Sequence, residues 1–211
     1  MPGNFDAIAP WYHWLERLAF GGSLHRCRTA LLDQIPEIRH ALIIGEGNGR
    51  FLEALRLRKP ELEITVVEAS QEMIKLARRR AGQTGKVHFI HGDVREASLV
   101  LPETDLLVTC FVLDCFEEIE LKRVMKRLQR CLNQPGLWLW ADFAIPDSQP
   151  MNAVAHGVIA LLYRFFRIAS GIRAARLPDA HAQFLNHGFK EHASRSFLAG
   201  LLATTLYQAH R

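Results

Sequence analysis

Ala41-Leu42-Ile43-Ile44-Gly45-Glu46-Gly47-Asn48-Gly49-Arg50-Phe51-Leu52 decides how the rest of the 211-residue chain is read. A short apolar run ends in three glycines at alternate positions, and a helical pattern follows. Read physically, a buried parallel strand turns sharply into a helix whose first turn presents free backbone N–H groups. Glycine suits that turn because the backbone needs unusual φ/ψ and because a ligand can approach with no Cβ in its path. At the carboxyl end of the first strand of an open α/β sheet, such a turn is where nucleotide-like cofactors bind. The spacing narrows the class. A dinucleotide fingerprint G-x-G-x-x-G requires glycine at position 50, where this chain has Arg50; its third glycine falls at 49.

Outward from this turn, strands and helices alternate. Asn48 is positioned to cap a helix running to Lys59, with Arg56, Arg58 and Lys59 suiting its negative end and Pro60 stopping it. Residues 63–68 read as a second strand closing on Glu68, and Ser70 as the cap of a helix ending in Arg78-Arg79-Arg80 before Gly82. That triple arginine resembles a nucleic-acid patch, but it falls in a last helical turn, where dipole complementarity accounts for it. Residues 87–91 form a third strand before Gly92-Asp93-Val94, and residues 105–111 a fourth, apolar enough to be central. Residues 117–132 carry an apolar stripe at 121, 124, 125, 128 and 132, and Pro135-Gly136 turns into a fifth strand over 137–143. This rhythm predicts parallel βαβ units in a doubly wound sheet.

The ends are less regular. Residues 7–20 and 23–35 read as two helices broken at Gly21-Gly22, with Ser23 as N-cap. Phe5, Trp11, Tyr12, Trp14 and Phe20 crowd this region, either stapling the leading helix to the domain or forming part of a lid over a ligand. Beyond a loop around Pro146 to Pro150, an arginine-studded helix spans 151–173, with Val154, Val158, Leu161, Leu162, Phe165, Phe166 and Ile168 apolar. A shorter helix over 179–187 ends at Gly188. Residues 189–197 and 201–209 close the chain as two strands, antiparallel to each other across Gly200.

Composition bounds the class. Apolar residues make up 49% and charged residues 23%, ordinary for a globular domain, and no uninterrupted apolar run approaches the roughly 20 residues of a membrane span. Cys27, Cys110, Cys115 and Cys131 have neither zinc-site nor CxxC spacing, and the first residues show no basic and apolar export signal. Buried free thiols in a reducing cytoplasm, with no metal site, are the expectation. The charge is uneven: residues 151–211 hold seven Lys/Arg against two acids, so the overall excess of +4 resides there. Such a segment suits an anionic partner or a membrane surface as well as plain solvation.

Taken together, the motifs resemble those of class I S-adenosylmethionine (SAM)-dependent methyltransferases, of the branch that includes ubiquinone/menaquinone-biosynthesis C-methyltransferases and small-molecule methyltransferases. The resemblance covers nearly the whole chain. Phe5-Asp6-x-Ile8-Ala9-Pro10-x-Tyr12 resembles the amino-terminal element, with Phe where Tyr is usual, and Ile44-Gly45-Glu46-Gly47-Asn48-Gly49 the glycine-rich motif. Glu68, Gly92-Asp93-Val94, residues 105–116 and Pro135-Gly136 match the elements that follow, in order and each at a predicted strand end.

The resemblance implies one domain over 1–211: a helical lid (1–36), a cofactor-binding core (37–150), and substrate-side helices and closing strands (151–211). The fold implied is a Rossmann-like, mostly parallel seven-stranded sheet with a long helix inserted before the last two strands. It implies SAM as cofactor, S-adenosylhomocysteine as product, and binding by Tyr12, Gly45, Glu46, Gly47, Asn48, Gly49, Glu68, Ala69, Ser70, Met73, Gly92, Asp93, Val94 and Cys110. Within that set, Glu68 accepts from the ribose hydroxyls, Asp93 accepts from the adenine amino group (or caps the next short helix), and Val94 and Met73 wall the ring. One departure stands out: relatives often carry an acid where this chain has Ile43, so Glu46 is expected to meet the methionine ammonium instead.

No catalytic residue is singled out. Asp114, Asp142, His13 and His156 fall near the expected mouth, and each also has a plain structural reading. Thr109-Cys110-Phe111-Val112-Leu113-Asp114 lacks the Asn/Asp-Pro-Pro-Tyr tetrad typical of base-amine methylation, so a small, largely apolar acceptor is expected and nucleic acid is not. A monomer or homodimer is anticipated, with the 151–173 helix covering the sheet or touching a membrane. Two rival readings are an NAD(P)-dependent oxidoreductase and a SAM-binding regulator without turnover.

Overall fold

The computed structural model describes residues 20–82, 85–146, 151–170 and 176–209. Apart from Phe20, the helix expected over 7–20 lies outside the described residues, with Phe5, Trp11, Tyr12, His13 and Trp14, as do the side chains of Val154, Leu162, Phe165, Phe166 and Ile168. In chain order come α1 (Ser23–Thr29), β1 (His40–Ile44), α2 (Arg50–Arg58), β2 (Glu63–Glu68), α3 (Gln71–Ala81), β3 (Val87–His91) and β4 (Thr104–Cys110). There follow α4 (Glu118–Gln129), β5 (Leu132–Phe143), α5 (Met151–Ser170), α6 (Ala180–Asn186), β6 (Phe189–Phe197) and β7 (Leu202–Ala209). The seven strands form one sheet in the order β3-β2-β1-β4-β5-β7-β6. The first five strands pair in parallel, while β7 runs antiparallel to both β5 and β6.

Central strands are apolar on both faces because each face carries helices. Alternation along β1 sends Ala41 and Ile43 into one core, with Phe51, Leu52 and Leu55 of α2. Leu42 and Ile44 enter the other, with Leu121, Val124, Met125 and Leu128 of α4. The second core continues into an aromatic block: Trp138 meets Phe184 and Phe189 edge-on at 4.9 and 5.6 Å, and Phe184 stacks on Tyr207 at 4.0 Å. A third cluster, across the carboxyl end of β5, joins Leu24 and Cys27 of α1, Phe143, Ile159 of α5 and Leu202. No described helix is long and apolar enough to cross a membrane.

Several expectations are corrected locally. The second helix is shorter than 23–35: α1 stops at Thr29 and a 3-10 turn covers Leu32–Gln34. Its N-cap is Gly22 in the left-handed region; Ser23 is the first helical residue, its hydroxyl accepting from Arg26 Nη2 at 3.0 Å. Gly49, not Asn48, caps α2. The helix expected over 117–132 ends at Gln129 because Leu132 already pairs with Thr104, and β5 starts five residues before the predicted 137. On α5, Ala155 and Ile159 face the core while Leu161 is 70% exposed. Ser70 does cap α3, accepting from Met73 N–H at 3.1 Å.

Candidate active site

Register places the functional ends side by side. Ile44 pairs with Val67 and Thr109, and Glu68 with His91, so the strand ends at Gly45, Glu68, Gly92 and Cys110 open on one edge of the sheet. A pocket opens there, lined by Gly45, Glu46, Gly47, Asn48, Glu68, Ala69, Met73, Gly92, Asp93, Val94 and Cys110. These are eleven of the fourteen residues that the sequence nominates. Tyr12 lies outside the described residues. Gly49 and Ser70 sit just behind the lining as helix caps.

The glycines differ in what they do. A Cβ on Gly49 would stand 2.6 Å from Ala77 Cα, so this glycine lets α2 and α3 approach, at a φ of +88° that L-residues avoid. A Cβ on Gly45 would meet Val112 at 2.4 Å. At Gly47 a Cβ would point into open space among the pocket residues. The side-chain-free path expected for a ligand is therefore clearest at Gly47.

Glu68 ties the turn to the second strand. Its Oε2 accepts from Gly47 N–H and its Oε1 from Ser70 N–H, both at 2.9 Å. Two backbone donors, one on each oxygen, hold the buried carboxylate still. Glu46 behaves differently from expectation. Its Oε1 accepts from Phe51 and Leu52 N–H, both at 3.0 Å, at the positive end of α2. Burial raises its pKa to about 7, against the opposing pull of those N–H groups and of the Arg28 guanidinium. The carboxyl group is engaged by the helix, not extended toward the pocket centre.

Asp93 is held by Arg95. Nε approaches both carboxylate oxygens at 3.0 Å, Nη2 lies 2.5 Å from Oδ2, and the Arg95 N–H donates at 2.9 Å. Burial alone would raise the Asp93 pKa, but these bonds outweigh it and hold the group below its ordinary value. Arg95 also pairs with Glu120 of α4 at 3.6 Å and lies over the Phe116 ring. Val94 and Met73 are buried apolar walls.

Sequence reasoning missed several lining residues. Arg28 reaches the pocket from α1, buried, its guanidinium 5.2 Å from the Phe111 ring. Nothing in a helical stretch of bases marks one as inward-facing. Phe111 leaves β4 at a φ of +57°, a strained position for an aromatic residue, with its N–H on Ala141 O at 2.7 Å. Val112, Cys115 and Phe116 complete the floor. Phe143 meets Phe111 at 5.5 Å and Phe20 at 5.6 Å, an aromatic patch beside the pocket.

Of the candidates for proton transfer, the structure unites two. Asp142 Oδ2 accepts from Asp114 N–H at 3.2 Å and Oδ1 accepts from Phe143 N–H at 3.0 Å, which brings the two acids together. Burial, and for Asp142 also the nearby Asp114 charge, raises both pKa values, so the pair retains a proton where isolated carboxyls lose theirs. Tyr163 of α5 donates to Asp114 O at 2.7 Å, fastening α5 to this turn. His156 is exposed on α5 and His13 lies outside the described residues. Among the described residues no group of His, Cys, Asp and Glu side chains could hold a metal ion.

Residues 41–136, which contain every described member of the nominated set, match a family model described as a methyltransferase domain. The chain is similar to a methyltransferase domain over this stretch, a little under half of its length. It is similar to a demethylmenaquinone methyltransferase of Thermotoga maritima, 26% identical over 147 residues that cover 69% of this chain and 62% of the relative. It is also similar to the ubiquinone/menaquinone biosynthesis C-methyltransferase UbiE of Methylobacterium nodulans, 25% identical over 218 residues, covering 93% of this chain and 84% of that one. In fold it resembles an O-methyltransferase family protein from Burkholderia thailandensis, with a TM-score of 0.69 at 15% identity over 88% of this chain and 56% of that one. The chain thus spans a little under two thirds of the Thermotoga methyltransferase and just over half of the Burkholderia protein. The pocket's donor set suits SAM: an open path at Gly47, carboxylates at Glu68 and Asp93, and apolar walls at Met73 and Val94.

Proposed function

We propose that the protein transfers a methyl group from SAM to a small, largely apolar acceptor. The observation that carries this reading is the convergence of Gly47, Glu68 and Asp93 on one pocket, with the Gly47 N–H bonded to the Glu68 carboxylate. Bound SAM supplies a methyl group already activated on a sulfonium. The protein's contribution is to bind, orient and exclude water. Glu68, fixed by two N–H groups, is suited to accept from both ribose hydroxyls, in charge-assisted bonds roughly twice as strong as neutral ones. Asp93 is suited to accept from the adenine amino group, Met73 and Val94 to sandwich the ring, and Arg28 to meet the α-carboxylate.

The acceptor side is read from its lining. Phe20, Phe111 and Phe143 form an aromatic patch next to Cys110, which suits a planar or apolar acceptor better than a charged one. Alignment of the acceptor with the methyl group can supply roughly 7–11 kcal/mol of the barrier. With both Asp142 oxygens accepting backbone N–H groups, the acid pair serves this alignment by holding the Phe111–Phe116 turn.

Titration calorimetry with SAM and S-adenosylhomocysteine tests the reading. Saturable binding of both is expected, in the micromolar range typical of enzyme substrates. Binding of NADH or NADPH in place of SAM would favour an oxidoreductase. Binding of SAM without methyl transfer across a panel of small acceptors would favour a regulator.

A further inference from the structure

The loop between β3 and β4 runs from Gly92 to Glu103 with no regular structure, yet it carries Asp93 and Val94. Such a loop presents carbonyl oxygens that need donors. Three of them are met by one side chain of α4: Arg127 donates from Nη1 to Val94 O at 2.8 Å and to Glu96 O, and from Nη2 to Leu99 O. A guanidinium can do this because its donors lie in a rigid plane; an ammonium is a compact point charge. A second arm of the same helix, Glu120, pairs with Arg95, which grips both oxygens of Asp93. In the sequence Arg127 passes for one more base in a last helical turn. Its placement says more.

We propose that Arg127 is a positioning residue that gives the pocket its preference for a 6-amino purine. The inference rests on the SAM reading above. With the loop clamped, Asp93 stays ionised on Arg95 and cannot swing away from the base. An amino group at C6 then donates to it, whereas an oxo group there sets lone pair against lone pair. Without the clamp the loop relaxes, Asp93 turns to water, and the two bases bind more alike.

The test compares binding of S-adenosyl-L-homocysteine and S-inosyl-L-homocysteine by calorimetry. The unaltered protein is expected to prefer the adenosyl ligand at least roughly tenfold, the scale of one buried hydrogen bond lost. Arg127→Gln is expected to cut that ratio to about twofold, and Arg127→Lys, which keeps charge but not the planar fork, to an intermediate value. Arg123→Gln, on an exposed position of the same helix, keeps the original ratio. A ratio unchanged in the folded Arg127 variants, or both ligands weakened by one common factor, overturns the proposal. If Arg127→Gln does not fold, Arg127→Lys decides alone. If the unaltered protein binds neither ligand, the SAM reading itself has failed, which is a different result from a common weakening.

Discussion

The two halves of the sheet are held together by different means. Around β1, β2 and β3 the pocket is organised by short-range polar bonds: Glu68 to Gly47 and Ser70, Glu46 to Phe51 and Leu52, Asp93 to Arg95. Around β5, β6 and β7 the structure rests on aromatic packing and on antiparallel pairing, with Trp138, Phe184, Phe189 and Tyr207 in one block. The difference separates binding from stability. Polar contacts at strand ends fix where a ligand's groups can go, while a packed aromatic block contributes most of its free energy to the fold.

The largest test of that division is Trp138→Ala. This side chain is fully buried and donates to Thr109 Oγ1 at 2.9 Å, so its loss should destabilise the protein by about 3–5 kcal/mol. Denaturant unfolding measures the loss, and the folded variant's affinity for S-adenosylhomocysteine should stay within about twofold of the original. A tenfold weaker affinity would erase the distinction between the halves. Glu68→Ala is the converse. Removing an acceptor held by two backbone N–H groups should lower that affinity about 100-fold in calorimetry, with a smaller effect on unfolding.

Gly49→Ala probes the junction of α2 and α3. The left-handed φ costs an L-residue about 1–2 kcal/mol, and the 2.6 Å approach to Ala77 Cα adds to it. A loss of about 2–3 kcal/mol in denaturant unfolding is expected; a neutral result would mean that the two helices separate readily.

Glu46→Gln should act in the opposite direction. The folded pKa of Glu46, about 7, lies above its ordinary 4.5, so the folded chain holds this proton more tightly than the unfolded chain. This group's contribution to stability therefore falls as pH rises from about 4.5 to about 7 and is level above that. Glutamine keeps an oxygen for Phe51 and Leu52 N–H without burying a charge. The variant should be about 1–3 kcal/mol more stable than the original at pH 8 and should lose that part of the slope. Melting at a series of pH values checks it, and an unaltered slope would show that Glu46 does not titrate in this range.

Much of the polar half was legible because its signals are local. Alternate glycines, an acid closing β2 and a serine capping α3 each act within a few residues, and each lies where the sequence placed it. Glu46 was misjudged because a carboxylate between two glycines suits a ligand's ammonium as well as the helix N-terminus, and geometry chose the helix. Arg28, the Asp114–Asp142 pair and Arg127 were illegible for another reason. Their partners lie 28 to 83 positions away in the chain, and no periodicity encodes such a meeting.

By itself the sequence determined the alternation of strands and helices, the glycine turn, and the acids that close the strands, because dihedral preference, side-chain period and capping are properties of neighbouring residues. Tertiary structure alone decided which strand lies beside which, that β7 enters between β5 and β6, and which arginines turn inward. Those outcomes depend on burying two faces of one sheet at once, a condition on the whole chain that no short stretch can express.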